Sequence, residues 1–371
     1  MSAIDHRDSR TGDRVLITGG AGFIGTNVAQ RLLHDGVQVK LFDSLSRPGS
    51  DANVRWLTHR YPQQLEFVHA DIRDAAAVRA AVRDVDHIYH FAAQVAVTTS
   101  LADPQQDFEI NARGTLNVLE AARACRVPPS LVFSSTNKVY GSLADVGLDS
   151  SQQRYVPIDA RTRAAGIGES RPLEFHSPYG CSKGAAEQYV LDYSRSFGLR
   201  SVVMRMSCIY GPHQNGTEDQ GWVAHFMRAI MTGRPITIYG TGLQVRDVLF
   251  VEDLVDAFEH ARGDIDALSG RAFNIGGGVT NAVSVLEILQ QIEQLTQRSC
   301  TKSFEPWRVG DQRYYVSDTT AFWEATRWHP RTDVSAGLAA LFEWLEETSV
   351  AERARTSAPA AAWAGMVESR L

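Results

Sequence analysis

The sequence predicts an α/β fold in which a doubly wound parallel sheet is joined to a smaller, mixed α/β C-terminal substrate domain. Three observations carry this prediction. Short apolar strand-like segments alternate with amphipathic helix-like segments from residue 14 to residue 205. Gly19, Gly22 and Gly25 lie between the first strand and the first helix, and Asp43 ends the second strand. This order of elements is typical of a Rossmann-type sheet.

The hydrophobic pattern places the elements of this sheet in chain order. Arg14–Thr18 is a short apolar run with β-branched residues, closed by glycines, as expected of a buried parallel strand. Phe23–His34 places apolar side chains on one helical face, and Gly36 follows as a helix-ending residue. Further strands are predicted at 37–42, 65–68, 87–91, 131–133 and 200–205, and further helices at 75–83, at 111–123 and around Lys183.

The pattern also predicts where the domains meet. The parallel-sheet domain is expected over 14–208, with 248–275 returning to it. The smaller second domain is expected over 209–247 and 276–348, and a flexible tail over 349–371. The polar stretch 142–177, punctuated by glycine and proline, either covers the substrate pocket or is a surface insertion, and the sequence leaves both open.

Composition excludes several classes of partner. The 371 residues are 44% hydrophobic and 22% charged, as in a globular protein, and the net charge is −6. This acidic balance favours neither nucleic acid nor an anionic membrane as a partner, and no apolar run approaches the length of a bilayer span. The four cysteines are widely separated, so we expect no disulfide framework, no metal site and a cytoplasmic location.

The glycine turn predicts a dinucleotide site. Glycines at this position allow a tight turn, a close backbone approach to pyrophosphate and close helix–strand packing. Lining residues are therefore expected at Gly19, Gly22, Phe23, Ile24 and Gly25. A carboxylate such as Asp43 accepts from both adenosine ribose hydroxyls and repels a 2′-phosphate, so NAD is favoured over NADP. Arg47 weakens that preference unless it is a solvated loop residue.

Two later strand ends complete the expected cofactor site. Asp71 and Ile72 follow the third strand, where they can meet the adenine edge. Phe91, Ala92, Ala93 and Gln94 follow the fourth strand and include small residues where a backbone must pass a dinucleotide. Either segment alone is also compatible with an ordinary strand ending in a loop.

A second pair of segments carries acid–base chemistry. Tyr179 and Lys183 are four residues apart and therefore share one face of a helix, and Thr136 ends an apolar strand. The unperturbed pKa of tyrosine is about 10, and a nearby cation favours the phenolate. Such a group can take a proton from an alcohol while hydride leaves the carbon. Taken alone, the pair is a weak signal, since such pairs are more often ordinary helix-surface contacts.

In this order, the glycine turn, Asp43, Thr136 and the Tyr179/Lys183 pair resemble the extended short-chain dehydrogenase/reductase family of nucleotide-sugar epimerases and dehydratases. The resemblance covers roughly 14–344. Within the family, several separate segments resemble the CDP-paratose 2-epimerase (CDP-tyvelose epimerase) group: 95–100, 135–141, 176–184, 219–223 and 244–248.

The resemblance implies epimerisation by transient oxidation to a keto-sugar and re-reduction on the opposite face. Thr136, Tyr179 and Lys183 would be catalytic, and NAD would stay tightly bound. The implied reaction is inversion at C2 of a CDP-hexose. A 4-epimerase acting on a UDP-hexose and a non-catalytic NAD-binding regulatory protein remain as alternatives.

One departure from a related pattern argues against dehydration. Nucleotide-sugar 4,6-dehydratases carry an Asp-Glu pair directly after the catalytic threonine. Here Asn137 and Lys138 stand at those positions, and an amide and a cation cannot act as that carboxylate acid/base pair.

The resemblance also implies a substrate site for a nucleotide-diphosphate sugar, with CDP favoured. Arg246 and Arg308 would bind the diphosphate, since arginine suits phosphate oxygens, and Asp311 would hold the nucleoside ribose. Ile238 and Tyr239 would line the base, while Trp222 stacks there or packs in the core. The remaining expected substrate residues are Gln94, Asn137 and Ser207. The family further implies a homodimer or homotetramer.

Overall fold

The computed structural model describes residues 13–150 and 153–357. In chain order the strands are β1 (Arg14–Thr18), β2 (Gln38–Asp43), β3 (Leu65–His69), β4 (His87–His90), β5 (Ser130–Thr136), β6 (Leu148–Ser150), β7 (Tyr155–Pro157), β8 (Ser201–Met206), β9 (Cys208–Tyr210), β10 (Ile236–Tyr239), β11 (Val245–Phe250), β12 (Ala272–Ile275), β13 (Ala282–Ser284), β14 (Lys302–Glu305) and β15 (Tyr314–Tyr315).

The helices follow the same numbering. They are α1 (Phe23–His34), α2 (Ser50–Arg60), α3 (Ala75–Val82), α4 (Val97–Ala102), α5 (Pro104–Phe108), α6 (Gly114–Arg123), α7 (Ala160–Ala165), α8 (Ser177–Phe197), α9 (Trp222–Met231), α10 (Val251–Gly263), α11 (Ile265–Leu268), α12 (Val285–Thr296), α13 (Thr320–Thr326) and α14 (Val334–Ser357). Within the described ranges, none of these helices is both long enough and apolar enough to span a bilayer.

A seven-stranded sheet in the order β12-β8-β5-β4-β1-β2-β3 forms the centre of the molecule, and all neighbouring strands are parallel. Helices α1, α2, α10 and α11 bury apolar side chains against one face. Helices α3, α6 and α8 cover the other face. The predicted doubly wound sheet is confirmed. Because parallel strands share one carboxyl edge, the loops after β1, β2, β4, β5 and β8 meet there.

The later part of the chain forms a second, mixed unit. Strand β11 pairs with β9, β13 and β15, and β10 pairs with β14. Helices α9, α12 and α14 close over these strands around a separate apolar core. Between the two halves of this unit, α10 and β12 return to the parallel sheet. The exact domain boundaries stay a prediction.

Some elements differ from the sequence prediction. The helix expected over 111–123 begins instead with a wide π-helical turn, Glu109–Arg113, before α6. Within that turn the Asn111 amide donates to the Gln94 carbonyl and to Ser182 Oγ, and these tertiary bonds hold the turn open. The short polar helices α2, α4 and α5 were not predicted, because few of their side chains reach the core.

The segment 142–177 is partly ordered, with a small β6–β7 hairpin, α7, and Ile167 packed against Tyr140 and Tyr315. None of its described residues lines the large cavity described below, which argues against a covering role.

The expected tail over 349–371 is helical up to Ser357, since Ala, Glu and Arg favour helix there. Residues 358–371 lie outside the described ranges.

Candidate active site

A cavity of about 1460 Å³ lies at the carboxyl edge of the parallel sheet and extends into the second unit. It brings together all of the residues that the sequence singles out. These are Gly19, Gly22, Phe23, Ile24, Gly25, Asp43, Asp71, Ile72, Phe91, Ala92, Ala93, Gln94, Thr136, Asn137, Tyr179, Lys183, Ser207, Trp222, Ile238, Tyr239, Arg246, Arg308 and Asp311. Their individual roles remain predictions.

The glycine turn after β1 has the geometry that an anion needs. Gly19 has φ +68°, and a Cβ on it would lie 2.7 Å from the Ala92 backbone nitrogen, so no larger residue fits. Gly22 is the N-cap residue of helix α1 and provides no side-chain cap. Its first-turn residues line the cavity, so their N–H groups face it without a protein side-chain partner. This end of the cavity fits the pyrophosphate of a dinucleotide.

Asp43 is fixed by the loop that follows β2. One carboxylate oxygen accepts from Ala21 N at 3.0 Å and the other from Leu45 N at 2.8 Å. Burial raises the pKa of this carboxyl, while the backbone donors lower it. Free lone pairs remain for ribose hydroxyls, which fits NAD. Asp71, expected at the adenine edge, is paired with Arg73 at 2.7 Å.

Tyr179 lies in the first turn of α8 and is only 8% exposed. Burial raises the pKa of its phenol to about 12, and a hydrogen bond with Thr136 lowers that pKa in part. A weaker lowering comes from the guanidinium of Arg47, an exposed loop residue that also lines the cavity. Thr136 therefore lies near enough to Tyr179 to influence its pKa, and Arg47 is a group whose influence the sequence did not reveal.

Lys183 lies one turn further along α8 and is 3% exposed. Its ammonium donates to the Ser134 carbonyl at 2.6 Å and lies 4.1 Å from the Phe133 ring centroid. Burial lowers its pKa to about 7, which Glu187 and Asp107 partly offset. The expected lowering of the Tyr179 pKa by Lys183 is not seen: the groups that lower it are Thr136 and Arg47. Lys183 instead faces strand β5.

A buried polar network supports this helix and was missed in the sequence. Asp107 is 1% exposed, accepts from Ser182 Oγ, and also accepts from Gln94 and Asn111. The Gln94 side chain lines the cavity, but its amide N–H groups already donate to the Asp107 carboxylate and to the Ala96 carbonyl. Spacing alone could not have found this network, since its members come from three separate loops and helices.

Arg246, at the base of the second unit, is nearly buried. Its guanidinium donates to Val245 O at 2.8 Å and to the Asp311 carboxylate at 3.1 Å. The same carboxylate lies 3.6 Å from the ammonium of Lys138. Asp311, expected at the nucleoside ribose, therefore also holds two cations together at the cavity wall.

Arg308 is engaged by an acidic loop. Its guanidinium pairs with Asp219 at 3.1 Å and with Glu218 at 3.7 Å, and it lies 3.7 Å from the Tyr239 ring centroid. The Tyr239 hydroxyl donates to the same Glu218 at 2.6 Å. An incoming diphosphate would have to compete with these two carboxylates for Arg308.

The other expected substrate residues also make contacts within the protein. Trp222 Nε1 donates to Cys208 Sγ at 3.4 Å, and its ring packs edge-on against Phe226. Ser207 Oγ donates to the Asp247 carbonyl at 2.9 Å. The Asn137 amide donates to Gln312 Oε1 at 3.1 Å, while the Ile238 side chain is buried in β10.

The sequence profile of the NAD dependent epimerase/dehydratase family matches residues 15–276. The chain belongs to this family. It is 42% identical to a CDP-paratose 2-epimerase of Salmonella typhi, over 89% of this chain and 98% of that protein. It is 34% identical to a UDP-glucose 4-epimerase of Mycolicibacterium smegmatis, over 91% of this chain and 99% of that protein.

Solved structures of the family superpose closely on this one. A Thermus thermophilus UDP-glucose 4-epimerase in complex with NAD has a TM-score of 0.75 at 31% identity, covering 90% of this chain and 99% of that one. A Streptomyces venezuelae dTDP-glucose 4,6-dehydratase with NAD bound has a TM-score of 0.77 at 28% identity, covering 91% and 98%. These likenesses confirm the predictions of the fold, of an epimerase enzyme and of NAD as its cofactor.

Proposed function

We propose that this epimerase inverts C2 of a nucleotide-diphosphate hexose, with a CDP-hexose as substrate. The observation that carries the proposal is the active-site triplet Thr136–Asn137–Lys138 facing Tyr179, in a chain 42% identical to a CDP-paratose 2-epimerase. Hydroxyl, phenol and buried ammonium are present, while the carboxylate pair that dehydration requires is replaced by Asn137 and Lys138.

Different residues of the cavity have different roles in the proposed epimerisation. The glycine turn and Asp43 would hold NAD, which when bound would supply the hydride acceptor and a positive charge. Tyr179, as phenolate, takes the proton of the C2 hydroxyl directly or through Thr136, whose hydroxyl lowers the Tyr179 pKa. After the keto-sugar has turned, hydride returns to the opposite face of C2, and the Tyr179 oxygen returns the proton to the C2 oxygen. Lys183 holds its ammonium at the floor of the pocket through Ser134 O.

The diphosphate is expected at the cations of the second unit. Arg246 is fixed by Val245 O and Asp311, and one carboxylate does not neutralise both Arg246 and Lys138. Partly desolvated guanidinium donors bind phosphate oxygens strongly. We propose the same contact for Arg308 once the diphosphate displaces Glu218 and Asp219.

We also propose a homodimer or homotetramer. Phe108 in α5 and Phe197 in α8 are more than half exposed on the outer surface of the parallel-sheet unit, which supports association through that surface. The four cysteines are unpaired thiols, which supports a reducing, cytoplasmic location.

Product analysis tests the reaction. The NAD-loaded protein is incubated with CDP-paratose, other CDP-hexoses, UDP-hexoses and GDP-hexoses in deuterated and ordinary water, and the sugars are followed by NMR. We expect inversion at C2 of a CDP-hexose without solvent deuterium at that carbon, since hydride returns to it directly. Inversion at C4 of a UDP-hexose would replace the proposal with the 4-epimerase. Bound NAD with no turnover of any sugar would favour a non-catalytic protein.

A further inference from the structure

Lys138 lines the cavity, and its ammonium is held by oxygen atoms of Gly310 and Asp311. Its side chain is 18% exposed, and its Nζ donates to the Gly310 carbonyl at 3.0 Å. The Asp311 carboxylate lies 3.6 Å away. An ammonium carries three N–H donors, so this arrangement leaves donor capacity toward the cavity that Lys138 lines.

The electrostatic surroundings of Lys138 favour an anion. Burial lowers the pKa of Lys138, Arg246 lowers it further, and Asp311 raises it. The Asp311 carboxylate therefore lies near both Lys138 and Arg246, and its single negative charge balances only one of these two positive charges. A phosphate group placed beside the pair would supply the missing negative charge and take charge-assisted hydrogen bonds.

Lys138 is also tied to the reacting end of the cavity. It follows Thr136 by two residues, and its own N–H donates to Thr136 Oγ1 at 3.2 Å. Gly310, which holds the ammonium, lies near Ser177 at the start of the helix that carries Tyr179, since a Cβ added to Gly310 would be 3.9 Å from the Ser177 Cβ. Lys138 thus contacts the Thr136 hydroxyl through its backbone, while its ammonium lies near Asp311, the carboxylate that Arg246 also contacts.

The bonding within a hexose links the position of Lys138 to the choice of the carbon that reacts. In a hexose oxidised at C2, the reacting carbon is bonded to the anomeric carbon, which carries the diphosphate. C4 lies across the ring from that carbon. An enzyme that acts on C2 must therefore hold the sugar-linked phosphate closer to its catalytic hydroxyls than one that acts on C4.

We propose that Lys138 binds the phosphate attached to the sugar and thereby sets C2, rather than C4, beside Thr136 and Tyr179. This inference rests on the proposed function for its choice of carbon. The phosphate contact itself does not depend on turnover. Lys138 is accordingly a substrate-positioning residue, and Arg246 binds the diphosphate beside it.

Nucleotide binding separates this role from a structural one. The affinities of NAD-loaded wild type, Lys138→Met and Lys138→Arg are measured by calorimetry for CDP, CMP, UDP and UMP. The phosphate that carries the sugar is the terminal phosphate of CDP and UDP, and it is missing from CMP and UMP. We expect Lys138→Met to bind both diphosphates about 10- to 100-fold more weakly, as for loss of one charged hydrogen bond, with little change for the monophosphates.

Lys138→Arg should keep most of the diphosphate affinity, because the charge remains. Lys40→Met is the matched control: Lys40 in β2 pairs with Glu66 in β3, outside the cavity, and its removal should change neither affinity. Bound NAD and the circular dichroism spectrum report whether each variant is folded.

Equal affinity of wild type and Lys138→Met for CDP and UDP would overturn the proposal. Equal losses of affinity for diphosphates and monophosphates would also overturn the proposal. That result would mean that Lys138 only anchors the 310–312 segment. A wild type that binds these nucleotides with the expected difference but inverts no CDP-hexose at C2 would leave the phosphate contact standing and refute the choice of carbon. The two failures are therefore distinguishable.

Discussion

Tyr179 shows how a single residue depends on surroundings that its spacing does not reveal. The four-residue interval to Lys183 places both side chains on one helix face, as expected. Burial nevertheless raises the Tyr179 pKa to about 12, and the Lys183 ammonium is bound to Ser134 O. The phenol is therefore protonated at neutral pH before cofactor binds, and its ionisation depends on charge brought into the cavity.

Replacement of the phenol tests its role as the acid/base. Tyr179→Phe should leave NAD bound, because the glycine turn and Asp43 are untouched, while the epimerisation rate falls by about 10²- to 10⁴-fold. The measurement is kcat by NMR together with the NAD content of the purified protein. Tyr193→Phe is a matched control on the same helix, since its hydroxyl donates to Glu120 of α6 and does not line the cavity. Near-normal turnover of Tyr179→Phe would refute the assignment.

At the scale of elements, a buried ion pair joins α8 to the sheet. Arg205 in β8 and Glu187 in α8 are 6% and 0% exposed, and their guanidinium and carboxylate are in contact. Glu187 also accepts from Ser135 Oγ at 2.6 Å, next to Thr136, and Arg205 donates to the Tyr140 hydroxyl at 2.8 Å. The pair thus holds the strand that carries Thr136 against the helix that carries Tyr179.

Loss of one partner of this pair should be costly. Glu187→Ala leaves a buried guanidinium without its carboxylate, and we expect the free energy of unfolding to fall by about 3–5 kcal/mol. Urea denaturation of the NAD-saturated protein measures it. Asp192→Ala on the same helix removes an exposed ion pair with Arg195 and should cost at most about 1 kcal/mol.

The double variant Glu187→Met/Arg205→Met gives a second readout. Because it removes both charges, it should recover much of the stability lost in Glu187→Ala. Equal stability of Glu187→Ala and Asp192→Ala would show that the buried pair does not brace the helix.

Considered as a whole, the molecule encloses several neutral histidines. Burial lowers the pKa of His87 and His90 to about 3 and that of His213 to about 4. In the unfolded chain each binds a proton near pH 6.5, so the unfolded state holds more protons below that pH. Asp247 acts in the opposite direction, since burial raises its pKa to about 6. Asp43, Asp107 and Glu169, whose pKa values burial also raises, act in the same direction as Asp247. The three histidine shifts are larger and leave a net loss of stability on acidification.

We therefore expect the free energy of unfolding to decrease as pH falls from 6.5 to 4, by up to about 1.4 kcal/mol per pH unit for each histidine. Urea denaturation at fixed, saturating NAD measures this slope. His87→Leu should flatten it, since His87 Nε2 is buried and has no hydrogen-bond partner in the described structure. An unchanged stability between pH 7 and pH 4.5 would contradict the prediction.

The sequence by itself determined the features that depend on a single helix or strand and on the segment next to it in the chain. Periodicity predicted the strands and helices of the parallel sheet, and the glycine turn with Asp43 predicted the NAD site. The interval from Tyr179 to Lys183 predicted their shared helix face. Each of these follows from local backbone geometry, which a short stretch of chain specifies.

The tertiary structure alone decided the partners of the charged groups and the protonation that results. Lys138 meets Asp311, and Glu187 meets Arg205, only because distant strands and loops converge at one edge of the sheet. The pKa values of Tyr179 and Lys183 follow from burial rather than from spacing. The physical reason is that desolvation and charge pairing depend on three-dimensional distance and exclusion of water, which no local pattern records.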